Sequence, residues 1–238
     1  MNQQMRPFGL DPANTVSNPA VERAFITKVY TWMALALGIT GLVATATASN
    51  PVFMEQLFGS PGVLLVLVLA QLGLVIGLSA AINRMSANVA TGLFVVYAAL
   101  TGLTLSAIFL VYTAQSIGTV FFITAGTFAL VSVYGYVTKT DLTRVGNLAF
   151  MALIGIILAS VVNFFLKSDT LYWILTYVGV IVFVGLIAYD TQRIKMMANG
   201  MTEDGQMQTK GAVIGALRLY LDFINLFVRL LRIFGRRR

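Results

Sequence analysis

The chain has 238 residues, of which 58% are hydrophobic and 11% are charged, whereas an average soluble domain has about 25% charged residues. This composition and a mean hydropathy of +0.85 exclude a soluble globular fold, because such a fold would have to cover its surface with apolar side chains. The chain contains no cysteine and no histidine, which excludes disulfides, thiol chemistry and the usual zinc and haem sites. Any proton-linked function must therefore use carboxylates, lysine, tyrosine or arginine.

The predicted elements are apolar runs that are long enough to cross a membrane. At a rise of 1.5 Å per residue, about 20 apolar residues span a hydrocarbon layer of ~30 Å. The polar residues 1–22 predict a flexible N-terminal arm, and residues 23–238 predict a single transmembrane helical domain. The predicted spans are Phe25–Ser49, Val63–Ile82, Ala87–Tyr112, Ile117–Val137, Val145–Leu166, Leu171–Asp190 and a less apolar seventh segment, Gly211–Phe234.

The basic residues outside the apolar runs predict the orientation. Lysine and arginine concentrate in the cytoplasmic loops of membrane proteins, and here they lie mainly before the first span and after the second, fourth and sixth spans. This pattern predicts a cytoplasmic N-terminus. The net charge of +7 therefore reflects the orientation of a membrane protein and does not indicate nucleic-acid binding. If the seventh segment spans the membrane, Arg236–Arg238 lie outside; if it is re-entrant or interfacial, they stay inside.

The polar residues of the seventh segment form a single stripe. They follow one another in steps of 4, 3, 4 and 3 residues, which places them on one face of a helix. Such a stripe suits a helix at the centre of a bundle, facing a polar interior. It also suits an amphipathic helix on the membrane surface, and the spacing leaves both interpretations open. The residues are Arg218, Asp222, Asn225, Arg229 and Arg232.

Asp190 and Asp222 are the carboxylates within the apolar segments. Asp190 ends the sixth run, so it could be an interfacial residue paired with Arg193 or Lys195. If the sixth helix continues beyond Asp190, the antiparallel seventh segment could bring Asp222 to a similar depth. Two carboxylates in a low-dielectric site do not both ionise readily, so they would share a proton and titrate as a unit. Such a pair predicts a proton-sensitive latch or a contact for a hard cation such as Ca²⁺.

Arg84 is the basic residue that follows the second span. A lone arginine in this place is usually an anchor whose side chain extends to the membrane interface. The alternative is that Arg84 reaches inward and pairs with one of the two aspartates.

Three strings resemble the Bax inhibitor-1 family (the transmembrane Bax inhibitor motif proteins) in a bacterial version. Residues 188–192 read Ala-Tyr-Asp-Thr-Gln, residues 219–227 read Leu-Tyr-Leu-Asp-Phe-Ile-Asn-Leu-Phe, and residues 138–142 read Thr-Lys-Thr-Asp-Leu. The resemblance covers essentially the whole chain after the N-terminal arm. It implies an all-α membrane protein, a seven-helix bundle whose last helix lies centrally between two three-helix layers.

The resemblance also implies a function, a pH-sensitive calcium leak across the bacterial cytoplasmic (inner) membrane. In the family, an aspartate pair matched here by Asp190 and Asp222 shares a proton and governs opening, and an arginine matched by Arg84 pairs with the first aspartate. We therefore expect the partners to be the lipid bilayer, calcium ions and protons. No cofactor is expected, and Ca²⁺ is a permeant or transiently bound ion. Our hypothesis is that low pH favours the closed state.

Two other classes of function compete with a leak. Some bacterial relatives modulate a membrane-bound protease, so the chain could be a regulatory protein without ion flux, with its arm as a contact for partners. An intramembrane aspartyl protease would use two aspartates on adjacent helices, and Tyr189-Asp190 fits its first motif. The second motif needs glycines where this chain has Leu219 and Leu221. We therefore expect that the protein is not an enzyme.

Overall fold

The computed structural model describes residues 19–200 and 205–238. The predicted N-terminal arm, as far as residue 18, lies outside the described residues. Over the described ranges the fold is all-α apart from an isolated antiparallel bridge between Tyr112 and Arg237. The helices are α1 (Pro19–Ala48), α2 (Pro51–Phe58), α3 (Pro61–Ala81, continued by a 3₁₀ turn at Ile82–Arg84), α4 (Ala87–Leu105), α5 (Ile108–Val111), α6 (Ala114–Val137), α7 (Thr143–Leu166), α8 (Asp169–Asn199) and α9 (Gly205–Phe234).

Within the described ranges, seven helical segments are long and apolar enough to cross a membrane, which confirms the all-α membrane fold. The helices differ from the sequence prediction at several places. Helix α1 begins at Pro19, inside the predicted arm. The short α2 was not predicted, because its eight residues are too few to cross a bilayer. Helix α8 continues to Asn199, nine residues beyond Asp190, so the interpretation of Asp190 as a helix-end residue is wrong.

Local capping explains where several of these helices begin. Ser, Thr or Asn side chains accept a hydrogen bond from a backbone N–H of the first turn, which would otherwise lack a partner. Asn50 caps α2, Ser86 caps α4, Thr113 caps α6 and Ser168 caps α8. The tight turn from α7 to α8 also uses a left-handed Lys167 (φ 50°). These caps set the residues at which α2, α4, α6 and α8 begin.

Helix α9 lies at the centre of the bundle. It packs against α1, α4, α6 and α8, and 67% of its most apolar 18-residue window is buried, against at most 39% in the other spans. The central position predicted for this helix is therefore confirmed, and the alternative of an amphipathic helix on the membrane surface is wrong. Helix α3 packs mainly on α4, and α7 packs on α8. The arrangement in two three-helix layers stays a prediction.

Contacts at both ends of α9 show that it crosses the whole bundle. Near its start, Lys28 Nζ donates a 2.8 Å hydrogen bond to Thr209 Oγ1, which joins the beginnings of α1 and α9. At the other end, Thr113 N donates to Arg236 O (3.2 Å) and Arg238 N donates to Val111 O (3.0 Å). The C-terminal arginines therefore lie at the opposite end of the bundle from the start of α1, and the re-entrant alternative is excluded.

A buried polar contact fixes α9 against α1 and α4. Tyr220 is fully buried, and its hydroxyl lies 2.6 Å from Thr40 Oγ1. Because Thr40 Oγ1 donates its single hydrogen to Ala98 O (2.9 Å), the Tyr220 hydroxyl must be the donor in this pair. These two hydrogen bonds link α9 to α1 and α1 to α4. Because Tyr220 is two residues before Asp222, they help to hold this part of α9, and with it the Asp222 side chain, in position.

Candidate functional site: an aspartate pair inside the bundle

The antiparallel register of α8 and α9 brings Asp190 level with the turn of α9 from Arg218 to Asp222. Toward one end, Gly179 of α8 lies directly against the guanidinium of Arg229 of α9. Toward the other end, Ile194 of α8 contacts Gly215 of α9. Asp190 lies between these two contacts, so it faces the turn of α9 that carries Asp222.

The two carboxyl groups are buried and lie near each other. Asp190 is 8% exposed and Asp222 is 5% exposed, and their side chains lie within hydrogen-bonding reach of each other. Asp222 Oδ2 is buried and has no hydrogen-bond partner among the described residues. Since two ionised carboxylates offer only acceptors, a hydrogen bond between them requires a proton on one of them. The geometry therefore suits a pair that holds one proton.

Arg218 is the cation beside this pair. Its Nη1 lies 3.5 Å from Asp190 Oδ1, and its side chain is 38% exposed, whereas that of Asp190 is 11% exposed. Arg218 precedes Asp222 by one helical turn, so one guanidinium lies near both carboxylates. A half-exposed ion pair at this distance is weak. It can therefore open without a large free-energy cost.

Arg84 does not reach the pair. It is exposed at the end of the 3₁₀ turn that follows α3, and it makes no ion pair within the described ranges. The expected pairing of Arg84 with Asp190 is therefore not seen, because Arg218 occupies that place. The spacing of four residues between Arg218 and Asp222 was visible in the sequence, but the partner of Arg218 depends on the register between α8 and α9.

Gln192 connects two of the strings that resemble the family, residues 188–192 and residues 138–142. Its Oε1 accepts a 2.9 Å hydrogen bond from Leu142 N, and its Nε2 donates a 2.9 Å hydrogen bond to Thr140 O. The string that carries Asp190 is thus bonded directly to the loop between α6 and α7. In this loop Asp141 Oδ1 accepts hydrogen bonds from Thr143 N (2.9 Å) and Oγ1 (2.6 Å). These two bonds hold the pKa of Asp141 below its ordinary value.

Two glycines allow the same string to pack closely on its neighbours. Gly135 of α6 lies against the backbone of Ala188, and Gly146 of α7 lies beneath the ring of Tyr189. Since a larger residue at either position would meet α8, these glycines set how near α6 and α7 approach the helix that carries Asp190.

The pair offers few oxygen ligands for a resident cation. Calcium takes 6–8 oxygen ligands, but no cluster of three or more acidic, histidine or cysteine side chains is present among the residues that the structure describes. The positive charge of Arg218 also opposes a bound cation. The transient contact of Asp190 and Asp222 with Ca²⁺ stays a prediction.

Comparison with known proteins places the chain in a family. The family model described as "Inhibitor of apoptosis-promoting Bax1" matches residues 22–238. The inner membrane protein YbhL of Escherichia coli strain K12 is 56% identical over 217 residues, which cover 91% of this chain and 93% of that protein. A protein of Borreliella burgdorferi is 45% identical over 218 residues, covering 92% of this chain and 94% of that protein.

Proposed function

The chain belongs to the Bax inhibitor-1 family, and from this premise we propose that it is a pH-sensitive calcium leak of the bacterial inner membrane, gated by Asp190 and Asp222. The observation that carries the proposal is the buried contact between the two carboxyl groups, with Asp222 Oδ2 left without a hydrogen-bond partner among the described residues. The pair has no catalytic role in this proposal. The cytoplasmic N-terminus and the calcium and proton partners are parts of the same proposal.

The direction of the pH effect follows from the charges. At low pH one proton joins the carboxyl groups and holds α8 against α9, which is the closed arrangement. When that proton leaves, two negative charges lie together in a low-dielectric site and repel each other. The repulsion favours separation of the helices, and the ionised carboxylates attract a passing cation. The proton thus shifts a closed-to-open equilibrium, and flux rises with pH.

The direct test is calcium flux into liposomes that contain the purified full-length chain. We expect entry of Ca²⁺ above that of protein-free liposomes, rising from about pH 5 to about pH 8 as the shared proton is lost. Flux equal to that of protein-free liposomes throughout this range would contradict the leak. That result would favour a regulatory protein that modulates a membrane-bound protease without ion flux.

Replacing Arg218 tests the charge beside the pair. In Arg218→Gln the guanidinium no longer favours the ionised carboxylates, so we expect the flux midpoint to move to higher pH. Arg84→Gln removes the same charge from the exposed end of the 3₁₀ turn and should leave the midpoint unchanged. The measurement is the flux profile of each variant in liposomes of one lipid composition. A shift in Arg84→Gln and none in Arg218→Gln would contradict the assignment of Arg218.

A further inference from the structure

A second polar site lies at the end of the bundle that carries the C-terminus. A cavity of about 300 Å³ opens between the end of α7, the beginning of α8 and the end of α9. Its wall includes Asn163 and Tyr172 together with two arginines, Arg229 and Arg232. Both arginines belong to the polar stripe of α9, but they lie beyond Asp222 and play no part in the aspartate pair.

The guanidinium of Arg229 is held in a fixed place by α8. Its Nη1 donates a 2.7 Å hydrogen bond to Leu175 O, and its Cζ lies 5.3 Å from the centre of the Phe183 ring. Gly179, one turn after Leu175, provides the space in which the guanidinium lies. The remaining polar group, Arg229 Nε, is buried and has no hydrogen-bond partner among the described residues. The site therefore contains a cation that is held in a fixed position at the cavity wall.

Arg232 brings a second positive charge to the same cavity. Its Cζ lies 5.1 Å from the centre of the Tyr172 ring, and its charge lies close enough to repel that of Arg229. Neither arginine forms an ion pair with a carboxylate of the described chain, including Asp169 in the first turn of α8. Two cations held together without a counter-charge are unfavourable at the edge of a membrane. An anion in the cavity would satisfy both.

We propose that this cavity binds a phosphate group, supplied by an anionic phospholipid or by free phosphate. Guanidinium groups are suited to phosphate, because their N–H donors match its oxygens in charge-assisted pairs. Asn163 adds donors: its Oδ1 accepts from Ser168 N (3.0 Å), whereas its amide N–H groups bond to no other group among the described residues. Aromatic side chains that are exposed around the same end, Phe164, Trp173 and Tyr177, are typical of the interface where lipid head groups lie.

The test measures ligand-dependent thermal stability of the full-length chain in detergent. The probes are dihexanoyl phosphatidic acid, inorganic phosphate and the uncharged dihexanoyl glycerol, each at matched ionic strength. A ligand that binds only the folded state raises the melting temperature according to its dissociation constant. We expect phosphatidic acid to stabilise the wild type, and Arg229→Gln and Arg232→Gln to weaken its binding about tenfold or more each. Arg236→Gln, at the same end but outside the cavity, should bind as the wild type does.

Each outcome decides a part of the proposal. Stabilisation by phosphatidic acid alone identifies a lipid head group, and equal stabilisation by inorganic phosphate identifies a free anion. If neither probe stabilises the wild type more than dihexanoyl glycerol does, or if Arg236→Gln loses as much affinity as the cavity variants, the proposal is wrong. Should Arg229→Gln fail to fold, Arg232→Gln still decides, because Arg232 contacts the Tyr172 ring at the cavity wall and forms no ion pair among the described residues.

Discussion

Asp190→Asn and Asp222→Asn should each flatten the pH profile of calcium flux to within about twofold between about pH 5 and about pH 8. Asparagine keeps the size of the side chain but cannot ionise, so either change leaves at most one negative charge in the site. Without two charges there is no repulsion to separate α8 from α9. The rise of flux with pH in the wild type, up to about tenfold per pH unit for one proton, should therefore disappear.

The double variant Asp190→Asn/Asp222→Asn distinguishes a pair from two independent groups. If the carboxyl groups act as a unit, the second replacement adds little to the first, which is the non-additivity expected for residues in contact. Asp169→Asn is the matched control, because it removes an exposed carboxylate from the beginning of the same helix. A wild-type profile in both single variants, or a flat profile in Asp169→Asn, would contradict the mechanism.

Gly135→Ala should destabilise the fold more than any other single methyl addition near the site. A Cβ at position 135 would overlap the backbone carbonyl of Ala188, and a helix backbone cannot move aside as a flexible side chain can. Overpacking of this kind costs about 1 to 3 kcal/mol. Helix α6 would have to retreat from α8 two residues before Asp190, so we also expect an altered flux profile. The measurement is denaturant or thermal unfolding of the purified variant in detergent.

Gly126→Ala is the matched control on the same helix. Gly126 is exposed on α6, and a Cβ there would meet no atom within 4 Å. This change should be neutral or slightly stabilising, since alanine favours a helix more than glycine does. Equal loss of stability in both variants would mean that glycine at position 135 acts through helix flexibility, not through close packing.

Much of the fold could be predicted because hydropathy reports which segments lie in lipid. The same signal predicted the end of α8 wrongly, since the apolar run stops at Asp190 while the helix continues through Arg193 and Lys195. Hydropathy measures the fit of a residue to lipid, whereas the length of a helix depends on hydrogen bonds and packing that continue past the membrane boundary. Hydropathy did not predict the short helix α2 either, because its eight residues are too few to cross a bilayer.

The candidate site could be predicted only in part. Helical spacing placed Asp222 on a stripe with Arg218, and both lie where that stripe faces α8. The partner of each residue could not be predicted, because it depends on the register in which α8 packs against α9. That register is set by distant contacts such as Gly179 with Arg229 and Ile194 with Gly215. Arg84 was therefore assigned to Asp190 by resemblance, although Arg218 lies beside it.

The claim that the two aspartates share one proton is tested most directly by following their protonation by infrared spectroscopy. We predict that protonation of the wild-type pair has the same pH midpoint as calcium flux. Replacing either aspartate should move the titration of the other, because coupled carboxyl groups titrate as a unit. If each carboxyl group instead titrates at one unchanged midpoint whether or not its partner is present, Asp190 and Asp222 do not share a proton.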